Sequence, residues 1–144
     1  MFRRVLLSTD GSDISIAAAD AAIAIAKLAG APLHVVYVLE PYPFTGIGSA
    51  RREGFDDYTA ASRHVAALAF QRIAKAADAQ GVRCETLIVE HPQAATGIVE
   101  AADSTGADLI AMGSHGRSGL AKLVLGSVAT KVLQLSPVPV LIVK

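Results

Sequence analysis

The sequence predicts an α/β fold, with five strands in one parallel sheet and helices on both of its faces. Three observations lead there. Short runs rich in Val, Leu and Ile alternate with longer segments of helical period along the whole chain. The strand runs are almost continuously apolar, as burial on both sides requires. Glycine or proline marks most of the junctions between them.

The first strand is Val5 to Ser8, and Thr9-Asp10-Gly11-Ser12-Asp13 turns the chain after it. Ser12 suits the N-cap of the following helix. Ile14, Ala18, Ala21, Ile25 and Leu28 recur at helical steps and predict its inner face. Gly30 and Pro32 end it. Leu33 to Leu39 is the second strand. A long irregular stretch, Glu40 to Phe55, carries Pro41, Pro43, Gly46, Gly48 and Gly54, and a loop of that length is usually functional or mobile. A long helix is expected from about Asp56 to Gln80, with Tyr58, Ala61, Val65, Leu68, Arg72, Ile73 and Ala76 inward and Gly81 closing it. Val82 to Val89 is the third strand. Pro92 to Thr105 is the third helix, with Ile98, Ala101, Ala102 and Thr105 inward. Asp108 to Met112 is the fourth strand, Gly113 to Leu125 a glycine-rich connection, and Gly126 to about Leu135 the fourth helix. Ser136-Pro137 breaks it, and Val138 to Val143 is the fifth strand.

A chain of 144 residues fits one domain, expected over 1–144. The 13 basic and 13 acidic residues cancel, and no basic block supports nucleic-acid binding. Zero net charge favours self-association. One cysteine, Cys84, forms no internal disulfide, fits a reducing compartment, and reads as a small buried strand residue. Met1-Phe2-Arg3-Arg4 does not read as a signal peptide. Ile14 to Leu28, the most apolar stretch, is interrupted by Asp20 and Lys27 and falls short of the roughly 20 residues of a membrane span. The expectation is a soluble intracellular protein.

The chemistry concentrates in Gly113-Ser114-His115-Gly116-Arg117-Ser118-Gly119, continuing to Gly126-Ser127, a G-x2-G-x9-G-S spacing. Glycine permits positive φ and lets a ligand approach the backbone. Gly113 falls at a strand end and Gly126-Ser127 at a helix start, where free N–H groups and the helix dipole favour phosphate. Ligands of open parallel sheets bind at the carboxyl ends of the strands, so Asp10, after the first strand, should face this segment. The P-loop pattern is absent. Gly46-Ile47-Gly48 approaches a dinucleotide fingerprint, but Arg51 stands at the third glycine position.

Three separated signatures resemble the universal stress protein family over the whole chain. They are the glycine spacing, Thr9-Asp10-Gly11-Ser12, and the closing Ser136-Pro137-Val138-Pro139-Val140-Leu141-Ile142-Val143. The spacing is similar to that of the family's ATP-binding branch. The resemblance implies a Rossmann-like, adenine nucleotide alpha hydrolase-like sheet ordered 3-2-1-4-5. It implies ATP, or ADP or AMP, with Mg or Mn across the phosphates. Asp10 would sit near the ribose or phosphates, and Val38 and its neighbours after the second strand would line the adenine pocket. Gly113, Gly116, Gly126 and Ser127 would cradle ribose and phosphates. Thr9, Gly11, Met112, Ser114, His115, Arg117 and Val128 complete the expected nucleotide-binding set. It further implies a homodimer through strand 138–143 and a cytoplasmic regulatory role in stress response.

Plainer roles stand beside these. Asp10 suits a turn cap, and glycines suit tight turns. His115 is expected to be solvent-exposed or beside phosphate, and Arg117 and Lys122 either screen phosphate or are ordinary surface charges. His34, His64 and His91 lack metal-ligand spacing, and no residue is assigned as catalytic or metal-binding. A slow ATP hydrolase or a phosphoryl- or nucleotidyl-transfer enzyme would use the same pocket through His115 and Asp10. A dimeric interaction protein without nucleotide is the third possibility.

Overall fold

The computed structural model describes residues 1–41, 49–115 and 124–144. Gly46-Ile47-Gly48, Gly116, Arg117 and Lys122, all singled out above, lie outside the described residues. Strands and helices alternate as β1 (Val5–Ser8), α1 (Asp13–Ala29), β2 (Leu33–Leu39), α2 (Ser49–Ala79), β3 (Cys84–Glu90), α3 (Ala94–Thr105), β4 (Leu109–Gly113), α4 (Ser127–Leu135) and β5 (Val140–Val143).

The sheet is parallel and runs β3-β2-β1-β4-β5, the order implied by the resemblance. Val5 pairs with Leu33 of β2 on one side and with Leu109 of β4 on the other, so β1 is the central strand. Strand alternation divides the core into two layers. Val5 and Leu7, with Leu33, Val35, Leu109 and Ala111, pack against α1 and the Ile73–Ala77 turn of α2. Leu6, Val36, Ile110 and Met112 point the other way, onto Ile98 and Ala101 of α3 and Ala129 and Val132 of α4.

α1 keeps its expected caps. Ser12 Oγ accepts from the Ser15 amide at 3.3 Å, and Gly30 closes the helix in the left-handed conformation at φ 63°. Its inner face differs from the expected one. Ser15, Ala18, Ala19, Ala22, Ile23 and Ala26 are buried, while Leu28 is 81% exposed. Alanine fills so much of α1 that the apolar pattern fits several faces, and close approach to the sheet selects one. A Cβ on Gly113 would lie 2.6 Å from Ile14 Cγ2. In α2 the buried face is likewise rotated, to Ala66, Ala69, Ile73 and Ala77, and Leu68 and Arg72 are exposed.

The boundaries correct several expectations. α2 begins at Ser49, not Asp56, so residues 49–55 are helical rather than loop. Ser-Ala-Arg-Arg-Glu precedes Gly54, and one interior glycine costs only about 1 kcal/mol against alanine. β3 begins at Cys84 because Val82, just past the end of α2, turns its amide back to the Ala77 carbonyl at 2.9 Å. α3 begins at Ala94, after Pro92, with Gln93 as N-cap. β4 is shifted by one residue, to Leu109–Gly113. β5 begins at Val140, because the Ser136 hydroxyl takes both polar groups of Val138: it donates to the carbonyl at 2.7 Å and accepts from the amide at 3.1 Å. Pro139 has no amide to place in a ladder.

Candidate functional site

Three segments leave the carboxyl edge of the sheet side by side. The first follows β1. Thr9 is buried, its amide bonded to the Val36 carbonyl of β2 at 3.0 Å and its hydroxyl 2.9 Å from Ser15 Oγ. Asp10 Oδ1 accepts from the Ser12 amide at 2.9 Å, closing an Asx turn that feeds the helix cap. Gly11 takes φ 81°, and a Cβ there would meet Val65 Cγ1 of α2 at 2.8 Å. Glycine is therefore demanded twice at this position, by conformation and by the helix packed over it.

The second segment follows β4. The Ser114 amide donates to the Val143 carbonyl at 2.8 Å, and the Gly126 amide donates to the Ser114 carbonyl at 2.7 Å. Ser114 Oγ lies 2.9 Å from His115 Nδ1. Both side chains are buried, Ser114 at 4% exposure and His115 at 7%. His115 Nε2 is buried with no hydrogen-bond partner among the described residues. Gly126 is the N-cap of α4, with no side-chain cap bond, and Ser127 is the first helical residue. The first helical bond runs from the Thr130 amide to the Gly126 carbonyl at 2.9 Å. The amides of residues 127, 128 and 129 precede it and have no acceptor within the helix.

The third segment follows β2. Val38 faces the α3 side, pressed so closely by that helix that a Cβ on Gly97 would meet Val38 Cγ1 at 2.9 Å. Glu40 lies just beyond the strand, and its carbonyl accepts from the Tyr58 hydroxyl of α2 at 3.0 Å.

These segments surround a cavity of about 380 Å³. It extends from Tyr37–Glu40 past Ser8–Asp10 to Met112–His115 and the first turn of α4, with Tyr58 and Ser62 contributed by α2. Its charged lining among the described residues is Asp10 and Glu40, both acidic. Positive potential comes instead from the dipole end of α4.

Residues 1–144 match the model of the Universal stress protein family.

The chain belongs to the universal stress protein family.

Curated relatives span it end to end. Universal stress protein MJ0531 of Methanocaldococcus jannaschii is 37% identical over 100% of this chain and 83% of its own length. Universal stress protein YxiE of Bacillus subtilis is 36% identical over the full length of both. Among solved structures, M. jannaschii MJ0577 superposes with a TM-score of 0.84 at 27% identity, covering 100% of this chain and 96% of the other. A universal stress protein in complex with cAMP gives 0.74 at 30% identity, covering 99% and 97%.

In this universal stress protein the fold brings Thr9, Asp10, Val38, Met112, Gly113, Ser114, His115, Gly126, Ser127 and Val128 to one cavity. Gly11 is not brought there; it turns the backbone beneath Val65. Gly113 and Gly126 serve packing rather than unusual torsions. Gly126 has φ −61°, and a Cβ on it would lie 2.9 Å from the Ser114 carbonyl oxygen. The Gly126 amide, expected to cradle a ligand, is already bonded to Ser114. His115 is not solvent-exposed: it is buried in the cavity wall with Ser114 Oγ beside its ring. Sequence reasoning missed Tyr58, Ser62 and Ile98 as lining residues. Tyr58 did stand in the inner stripe predicted for α2, but periodicity cannot tell a face that covers a cavity from one that covers core.

Proposed function

We propose that this universal stress protein is an ATP-binding regulatory module of the stress response, with the nucleotide laid across the carboxyl ends of β2, β1 and β4. The observation that carries this reading is the cavity's position: it joins the ends of three adjacent parallel strands to the open amides of a helix N-terminus. The base lies on the β2 side, against Val38. Ribose and phosphates lie over Asp10 and Gly113 and reach the amides of residues 127–129 and the Ser127 hydroxyl. A volume of about 380 Å³ falls within the range of small-ligand sites. Binding of cAMP, also an adenine nucleotide, by a solved relative of 30% identity supports the ligand class.

The residues fit a metal carried in by phosphates, not a protein cage. Among the described residues no group of three or more His, Cys, Asp or Glu is placed to hold a metal ion. Mg or Mn would arrive with the phosphates and offset their charge, and Asp10 and Glu40 are the lining carboxylates that would help hold it. The protein acts in this reading as a cytoplasmic homodimer of one 1–144 domain. β5 is an edge strand, and its four residues are only partly buried. Pairing with its two-fold mate would cover that edge. Among the described residues no helix is long and apolar enough to cross a membrane.

The test is to denature purified protein, chromatograph the released small molecules, and titrate the stripped protein with MgATP by calorimetry. Adenine nucleotide in the eluate, or heat that Ser127→Asp removes, supports the reading. An acidic residue suits the first turn of a helix but repels phosphate. No nucleotide and no heat from the wild type would overturn it.

A further inference from the structure

The ends of the cavity differ in chemistry. The α4 end offers amides and hydroxyls, while the β2 end is lined by Tyr58 together with Val38 and Leu39. Tyr58 belongs to α2, the long helix that the order of the strands does not require to reach the site. Two contacts bring it there. Val65 seats on the Gly11 turn so closely that no Cβ would fit between them. The Tyr58 hydroxyl donates to the Glu40 carbonyl at 3.0 Å, tying α2 to the chain leaving β2. Ser62, one turn further along α2, lines the same cavity. A ring held at its far end by its own hydroxyl is fixed in position, and an aromatic face is the side chain best suited to a flat base.

We infer that Tyr58 is the base-recognising wall of this site: its ring packs on the nucleobase, while the Glu40 bond sets how far α2 stands from the sheet. This rests on the nucleotide reading above and adds to it a residue on α2. Affinity is thereby divided between two elements. α4 holds the phosphates and Tyr58 holds the base, so a change at Tyr58 discriminates between ligands with and without a base.

Calorimetric titrations of wild type, Tyr58→Phe and Tyr58→Leu with MgATP and with inorganic tripolyphosphate test this. Loss of a base–aromatic contact predicts roughly a 5- to 100-fold weaker MgATP affinity for Tyr58→Leu, with tripolyphosphate binding unchanged. Tyr58→Phe keeps the ring and stays within about fivefold of wild type, losing one rim hydrogen bond. The chain has no tryptophan, so Tyr58→Trp places a single reporter in the wall. Its fluorescence should change with MgATP and not with tripolyphosphate, a readout independent of whether the leucine variant folds. Wild-type MgATP affinity in Tyr58→Leu, or a tryptophan signal indifferent to MgATP, would overturn the inference and leave the nucleotide reading standing. A wild type that binds no nucleotide would overturn both.

Discussion

The backbone amide of Ser114 donates to the carbonyl of Val143 at 2.8 Å, tying the residue after β4 to the end of edge strand β5. The carbonyl of the same residue accepts from Gly126, the N-cap of α4. The edge strand and the helix terminus that faces the cavity are therefore joined through one residue. Its hydroxyl adds a third link, to His115.

Ser114→Ala removes that hydroxyl and leaves His115 Nδ1 without its partner in a buried setting. An unsatisfied buried polar group costs about 1–3 kcal/mol. The variant should unfold at correspondingly lower urea concentration with an unchanged m-value. A midpoint equal to that of wild type would mean that His115 finds another partner.

Gly126→Ala sets a Cβ against backbone, 2.9 Å from the Ser114 carbonyl oxygen and 3.3 Å from His115 Cα. Backbone cannot swing aside as a flexible side chain can, so the start of α4 must move. Overpacking of this kind costs about 1–3 kcal/mol, and here it should also weaken nucleotide binding by displacing the amides of residues 127–129. Gly81→Ala is the control. It has open space, but its φ of 72° is left-handed, so it should lower stability by about 1 kcal/mol and leave binding intact. Equal binding by both variants would count against a role for the α4 terminus.

Asp108 accepts from the Arg3 amide and, at 3.0 Å, from the Arg4 amide, pinning the N-terminal segment before β1 to the start of β4. Desolvation pushes its carboxyl up, but the amides of Arg4 and Arg3, with the charge of Arg3, outweigh that and hold it below its ordinary value of 3.8. A group lowered in the folded state stabilises fully above its unfolded value and loses that contribution as pH falls through the folded one. Wild type should therefore be more stable than Asp108→Asn at pH 7, and the gap should close as pH falls below 3.8. A gap that is constant with pH, measured by urea unfolding, would show that the carboxylate charge contributes nothing.

Strand spans were legible because a strand buried on both faces must be apolar nearly throughout, and Val5–Ser8 and Leu33–Leu39 are bounded by turn residues. Helix faces were harder to read. In α1 and α2 alanine satisfies both an inner and an outer position, so the pattern did not separate Ala21 from Ala22 or place Leu28 in solvent. Helix starts without a cap signal were also hidden. Ser49 opens α2 with nothing to distinguish it from the proline- and glycine-rich stretch before it.

Sequence alone determined the alternation of strands and helices, the Ser12 and Gly30 caps, and the gathering of candidate ligand residues at strand ends. All of these follow from local chemistry: β-branched runs, side-chain oxygens that reach nearby amides, and glycine's access to positive φ. Tertiary structure decided the rest, because those outcomes depend on atoms distant in the chain. Gly113 is glycine because Ile14 lies against it, Gly11 because Val65 does, and Gly126 because Ser114 does. His115 is buried just past β4, where the start of α4 comes against its backbone. Tyr58 lines the cavity because the Gly11 turn and the Glu40 carbonyl hold α2 across the sheet's edge. A sequence states which residues suit such contacts, and only packing decides which of them meet.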